Sequence, residues 1–235
     1  MLATSPILNA YFQADFFGKL IFWALFILSI TSWVILLHKM YMAKKLKILN
    51  ANFDREIDAK NDNILSLNFT SKNSSPYLSI YKGLKEKTLE ILKKNRYFLT
   101  EKENVYMSGA DLDLIDSHID AQIAKQTKLL EKNLFILPTV VTLGPFLGLL
   151  GTVWGILITF NTLQNQSLLN SNSSILSGLS MALATTVVGL MVAIPALIAH
   201  NYLKNWIKNL KDDMYHFSHK LITTLEIQYR NVDTK

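Results

Sequence analysis

Between Lys132 and Lys204 the chain runs for 71 residues, Asn133 to Leu203, without an Asp, Glu, Lys or Arg, although 18% of the sequence is charged. A water-soluble domain does not leave so long a stretch without charge on its surface. The middle of the run, Asn161 to Ser174, is rich in Asn and Ser. The run therefore reads as two apolar helices of about 25 residues joined by a short polar loop, each long enough to cross a hydrocarbon core of about 30 Å. Upstream, Leu20 to Leu37 (LIFWALFILSITSWVILL) gives 18 uncharged positions in a row, about 27 Å as a helix. That segment is longer than a signal-peptide core and no small-x-small cleavage site follows it, so it reads as an uncleaved span. The expected fold is an all-α membrane protein: three transmembrane helices with long cytoplasmic helical extensions.

Charge at the flanks predicts orientation. Lys39, Lys44, Lys45 and Lys47 follow the first span, Lys125, Lys128 and Lys132 precede the second, and Lys204, Lys208 and Lys211 follow the third. The opposite flanks carry only Asp15 and Lys19. Positive charge marks the cytoplasmic side, which places the N-terminus out and the C-terminus in. The expected division is an outer N-terminus over 1–15, first span 16–39, cytoplasmic helical domain 40–132, second span 133–160, outer loop 161–174, third span 175–203 and a cytoplasmic C-terminal helix over 204–235. The net charge of +6 then reflects topology and attraction to anionic lipid headgroups. Nucleic acid is not an expected partner, because no aromatic platform is interleaved with the basic residues. The absence of cysteine excludes disulfides, thiolate catalysis and Cys-based metal sites.

The segment Tyr77 to Lys94 mixes apolar and charged residues at helical spacing, whereas Asn61 to Pro76 reads as a break. Leu112, Ile115, Ile119, Ile123, Leu130 and Leu134 form one stripe that runs into the second span, predicting a single helix across the membrane boundary. Leu203, Ile207, Leu210, Met214, Phe217 and Leu221 do the same after the third.

Within the hairpin, Gly144, Gly148, Thr152, Gly155 and Thr159 are spaced 4, 4, 3 and 4 apart and share one helix face. Gly178, Ala182, Thr186, Gly189 and Ala193 repeat that spacing on the third span. Such strips let helices approach closely in lipid, with each threonine bonding back to a carbonyl of the preceding turn. They equally suit the lining of a narrow polar path in which hydroxyls carry a proton or flank a partner's ionisable group. Spacing leaves both readings open. A proton path needs a titrating relay, and the run offers only His200 at its end, so the acid is expected from another chain. Pro138, Pro145 and Pro195 each remove a backbone hydrogen bond and are expected to kink their helices. His216 and His219 lie three apart but lack a third ligand and read as solvated surface. No nucleophile–base pair or metal cluster is present in the hairpin, so no catalytic residue, metal or cofactor is expected.

The stretch GPFLGLLGTVWGI from Gly144 to Ile156, followed by GLSMALATTVVGLMVAIPAL from Gly178 to Leu197, resembles the signature region of the MotA/TolQ/ExbB proton-channel family. The likeness extends back through LLEKNLFILPTVVTLGPF and covers the hairpin continuously. From Met40 to about Ser108 it rests on size and helical character alone. The short outer N-terminus and SITSW at Ser29 to Trp33 look more like the TolQ than the ExbB branch, and the three-span layout is unlike the four-span flagellar branch.

This resemblance implies a bacterial inner-membrane homopentamer around the membrane helices of a TolR- or ExbD-like partner that carries the membrane aspartate. Thr152 and Thr186 match the family's pore threonines, which face that aspartate. Proton flow would rotate the partner and pass force to a TolA- or TonB-like envelope protein. One departure stands out: Met181 occupies a position where these proteins commonly carry glutamate. The alternative expectation is a membrane scaffold that oligomerises through the same seams without conducting.

Overall fold

The computed structural model describes residues 6–59, 65, 75–98, 106–165 and 171–229, with backbone alone at 165 and 171–174. These residues form α1 (Pro6–Gln13), α2 (Phe16–Ala59), α3 (Pro76–Phe98), α4 (Gly109–Glu131), α5 (Ile136–Asn165) and α6 (Ser171–Tyr229). Three helical stretches, Phe16–Ala59, Gly109–Gln164 and Ile175–Tyr229, are long and apolar enough to cross a membrane. The three-span, all-helical architecture expected from hydropathy is the one observed. The Asn- and Ser-rich break expected at 61–76 and the centre of the loop expected at 161–174 lie largely outside the described residues.

The chain divides into two compact units. One comprises Met1–Lys39 with Asn133–Leu203, the other Met40–Lys132 with Lys204–Lys235.

In the first unit, Asp15 caps α2: its Oδ1 accepts the Gly18 N–H at 2.9 Å, satisfying a donor that the first helical turn cannot pair internally. Pro145 and Pro195 sit inside α5 and α6. Pro138 falls in the first turn of α5, where a missing N–H removes no helical bond, so it starts a helix where a kink was expected.

In the second unit, α4 opens with a capping box. The Ser108 side chain accepts the Asp111 N–H while the Asp111 carboxylate accepts the Ser108 N–H, a reciprocal arrangement that satisfies two orphan donors. The stripe Leu112, Ile115, Ile119, Ile123 and Leu130 is buried, as are Ile207, Leu210, Met214, Phe217 and Leu221 of α6. The Tyr77 ring stacks on Phe217 with centroids 4.2 Å apart, and burial with the nearby carboxylates of Asp213 and Asp54 pushes the Tyr77 phenol up to about 12. Lys220 of α6 lies 3.0 Å from Asp54 and 2.5 Å from Asp58 of α2.

The single helix expected from Ser108 into the second span is instead two. Asn133 adopts φ 64°, the left-handed conformation that Asn tolerates better than most residues and that ends helices. The apolar stripe passes through the break, since Leu134 is buried too. α6, by contrast, runs unbroken for 59 residues.

Candidate functional site

The small-residue strips of α5 and α6 meet each other. A methyl group added at Gly144 would stand 2.9 Å from the Gly189 carbonyl oxygen, and one at Gly189 would stand 2.5 Å from that of Gly144. At the other end of the seam, a methyl at Gly155 would come within 2.7 Å of the Gly178 carbonyl and 2.8 Å of Ala182 Cβ. Between them, Gly148 opposes the backbone of Thr186. Ala182 and Ala193 are buried in the same interface. These approaches are to backbone, which has no room to withdraw, so hydrogen is the only substituent that fits.

The hydroxyls divide into two kinds. Thr152 donates to the Leu149 carbonyl at 2.7 Å and buried Thr159 to that of Gly155 at 2.8 Å, both along their own helix. Thr186, half-buried, donates across the seam to the Gly148 carbonyl at 3.1 Å. Gly148 lies one turn from Thr152, so Thr152 and Thr186 occupy neighbouring levels of the pair. Thr185 escaped the sequence reading. It is fully buried, donates to Ala182 at 2.9 Å and presses against Gly151, whose added methyl would collide with it. The signal was Gly151 itself, which the 4-4-3-4 strip leaves out.

Met181 is 2% exposed and packs with Ala10, Ala14, Phe22 and Ala184. Its sulfur faces Gly18 at the start of α2, where an added methyl would strike it. Beside it lies a cavity of about 430 Å³ lined by Gln13, Asp15, Ile158, Thr162, Ser177, Gly178 and Met181. Asp15 is tied to α5 as well as to its own helix: the Trp154 indole N–H donates to its Oδ2 at 3.0 Å, and the Trp154 ring packs on Phe17 with centroids 4.4 Å apart. In the sequence Asp15 stands as a flank charge and Trp154 as part of the GTVWGI segment, with nothing to join them. A larger cavity of about 670 Å³, bordered by Tyr11, Phe22, Trp23, Val188 and Pro195, has no charged residue in its lining.

His216 and His219 are both exposed. Among the described residues no group of three or more His, Cys, Asp or Glu is placed to hold a metal ion.

Comparison with known proteins matches residues 79–216 to the family described as the MotA/TolQ/ExbB proton channel family. The biopolymer transport protein ExbB of Aquifex aeolicus is 45% identical over 80 residues, 34% of this chain and 53% of that protein. A putative ExbB-like 2 biopolymer transport protein of Helicobacter pylori is 38% identical over 104 residues, 43% and 67% of the two chains. The Tol-Pal system protein TolQ of Haemophilus influenzae is 33% identical over 104 residues, 44% and 45%. The matched segment thus spans about half the length of the Aquifex relative. Three apolar spans, the glycine-lined hairpin and a family match over more than half its length agree: this chain is a multi-pass membrane protein of the MotA/TolQ/ExbB proton channel family.

Proposed function

We propose that the chain is the channel and stator subunit of a proton-driven motor in a bacterial inner membrane, of the TolQ–TolR or ExbB–ExbD type, coupling the proton gradient to force on the outer envelope. In this reading a homopentamer, N-termini out and C-termini in, surrounds a TolR- or ExbD-like partner whose membrane aspartate titrates opposite Thr152 and Thr186. A TolA- or TonB-like protein takes up the force. The observation that carries it is the pairing of half-buried hydroxyls at Thr152 and Thr186 with a hairpin that holds no carboxylate of its own. A carboxylate in mid-membrane costs about 2.5–3.5 kcal/mol on insertion scales and persists only where polar partners meet it. Half-exposed hydroxyls beside a closely packed seam can meet such a group and solvate it. Each proton moved down 100 mV supplies about 2.3 kcal/mol, so several protons per mechanical step are reasonable.

A second reading, a non-conducting oligomeric scaffold, is favoured by one observation: the small faces of α5 and α6 are spent on each other at Gly144–Gly189 and Gly155–Gly178. Co-expression with a TolR- or ExbD-like partner, followed by proton flux in vesicles, separates the two. Flux above that of a partner-aspartate variant supports the channel, and equal flux in both leaves the scaffold.

A further inference from the structure

The unit formed by Met1–Lys39 and Asn133–Leu203 contains one acidic residue, Asp15. It belongs to neither small-residue strip. It stands where the α1–α2 corner meets the loop end of the hairpin, on the wall of the cavity that also holds Gln13, Thr162, Ser177 and Met181. Each carboxylate oxygen accepts one hydrogen bond, Oδ1 from Gly18 N–H at 2.9 Å and Oδ2 from Trp154 Nε1–H at 3.0 Å. Each keeps a further lone pair for a proton or water. Neither partner is charged. α1, α5 and α6 bring no charged group to this corner, and the one nearby in sequence is Lys19, a turn further along α2.

A capping aspartate needs no cavity, and a cavity that merely spaces helices needs no polar lining. Here a carboxylate, a carboxamide and two side-chain hydroxyls border about 430 Å³, room and polarity enough for several waters. The inner wall is Gly178 and Met181. Gly178 belongs to the seam, where its added methyl would meet Thr159 and the Gly155 carbonyl. The cavity therefore reaches from Asp15 to Gly178, the loop end of the α6 strip.

We infer that Asp15 is a proton-exchange site at the loop end of the hairpin: it takes a proton from solvent on an unshared carboxylate lone pair and releases it to water in the cavity beside Met181. Release restores the carboxylate, and no other bond is made or broken. The assignment rests on the channel reading and deepens it, giving this chain a titrating group of its own upstream of the partner's. It also gives a local meaning to the position of Met181, which shares the cavity wall with the carboxylate that the start of α2 brings to it.

The test is proton flux in vesicles holding the chain with a TolR- or ExbD-like partner, with oligomer size and partner co-purification measured in parallel. Asp15→Asn keeps the shape and removes the titrating group. The expected result is a loss of about tenfold or more, within the range of single proton-transfer groups, from an oligomer that still assembles. Asp15→Glu retains flux, and Asp15→Asn combined with Met181→Glu recovers it by returning a carboxylate to the cavity from α6. Flux within twofold of wild type in Asp15→Asn overturns the assignment. So does a loss that follows disassembly, or one that neither carboxylate restores. If wild type itself gives no partner-dependent flux, the channel reading falls, and this assignment with it.

Discussion

The Thr186 hydroxyl donates to the Gly148 carbonyl oxygen at 3.1 Å, joining α6 to α5 one turn from Thr152. Its neighbour Thr185 is buried in the same interface and donates to Ala182 within α6 at 2.9 Å, with the same Gly148 carbonyl a weaker acceptor at 3.5 Å. Two adjacent threonines thus differ in one respect that matters: Thr186 retains a partly exposed edge, and Thr185 has none.

Thr186→Val is therefore expected to lower proton flux and motor output while the oligomer stays assembled. It replaces a hydroxyl by a methyl at nearly constant volume, and an interhelical hydrogen bond in a membrane averages only about 0.6 kcal/mol. Thr185→Val should cost a comparable amount of stability and leave flux near wild type. Flux and detergent-resistant oligomer, measured on both variants, check the contrast. Disassembly of Thr186→Val would show that the hydroxyl serves the seam.

The seam itself predicts a sharp cost for adding one carbon. Gly189→Ala places a methyl against the Gly144 carbonyl, and Gly155→Ala places one between Gly178 and Ala182. Forced separation of packed elements costs about 1–3 kcal/mol, so both variants should unfold at lower SDS fraction than wild type. Gly109→Ala, where an added methyl meets nothing within 4 Å, should be neutral or slightly stabilising.

Periodicity carried the fold a long way. The buried stripe on α6 follows Leu203, Ile207, Leu210, Met214, Phe217 and Leu221 as spacing foretold, because burial on one helix face is a local property of sequence. The break at Asn133 left no trace in that signal: Leu130 and Leu134 keep their phase while the backbone between them turns left-handed. Pro138, three residues into the next helix, was the available clue. The role of Asp15 was illegible for another reason. Its partner Trp154 is 139 positions away, and only the corner between α1 and α2 brings them together. Gly151 and Thr185 were missed because two helices in contact bury a band wider than one stripe.

A further prediction concerns the capping box of α4. Burial alone would raise the Asp111 carboxyl, but the Ser108 N–H, the Asn95 and Ser108 side chains and the Lys94 charge together hold it below its ordinary 3.8. A carboxyl depressed by folding stabilises above its unfolded value, and that contribution is lost as pH falls through the folded one. Amide exchange at Leu112 and neighbouring residues should therefore be protected at neutral pH and quicken, beyond the intrinsic trend, below about pH 4. Ser108→Ala should reproduce the loss at neutral pH, at about 1 kcal/mol. Protection in Asp111→Asn that matches wild type at every pH would show that the carboxylate contributes nothing.

Met181→Glu on its own separates two accounts of the residue that departs from the family pattern. Met181 is packed against Ala10, Ala14 and Phe22, and its cavity already holds Asp15. A second carboxylate placed there shares the site with the first, and two like charges at close range repel each other. The variant is therefore expected to assemble less stably and to conduct no more than about twofold above wild type, since the cavity already holds a carboxylate and the new one lacks a cationic partner. If Met181 instead limited conduction, flux would rise well beyond that in the otherwise unchanged chain. Measured beside Asp15→Asn, the single variant shows whether what matters is a carboxylate at position 181 or a carboxylate in the cavity.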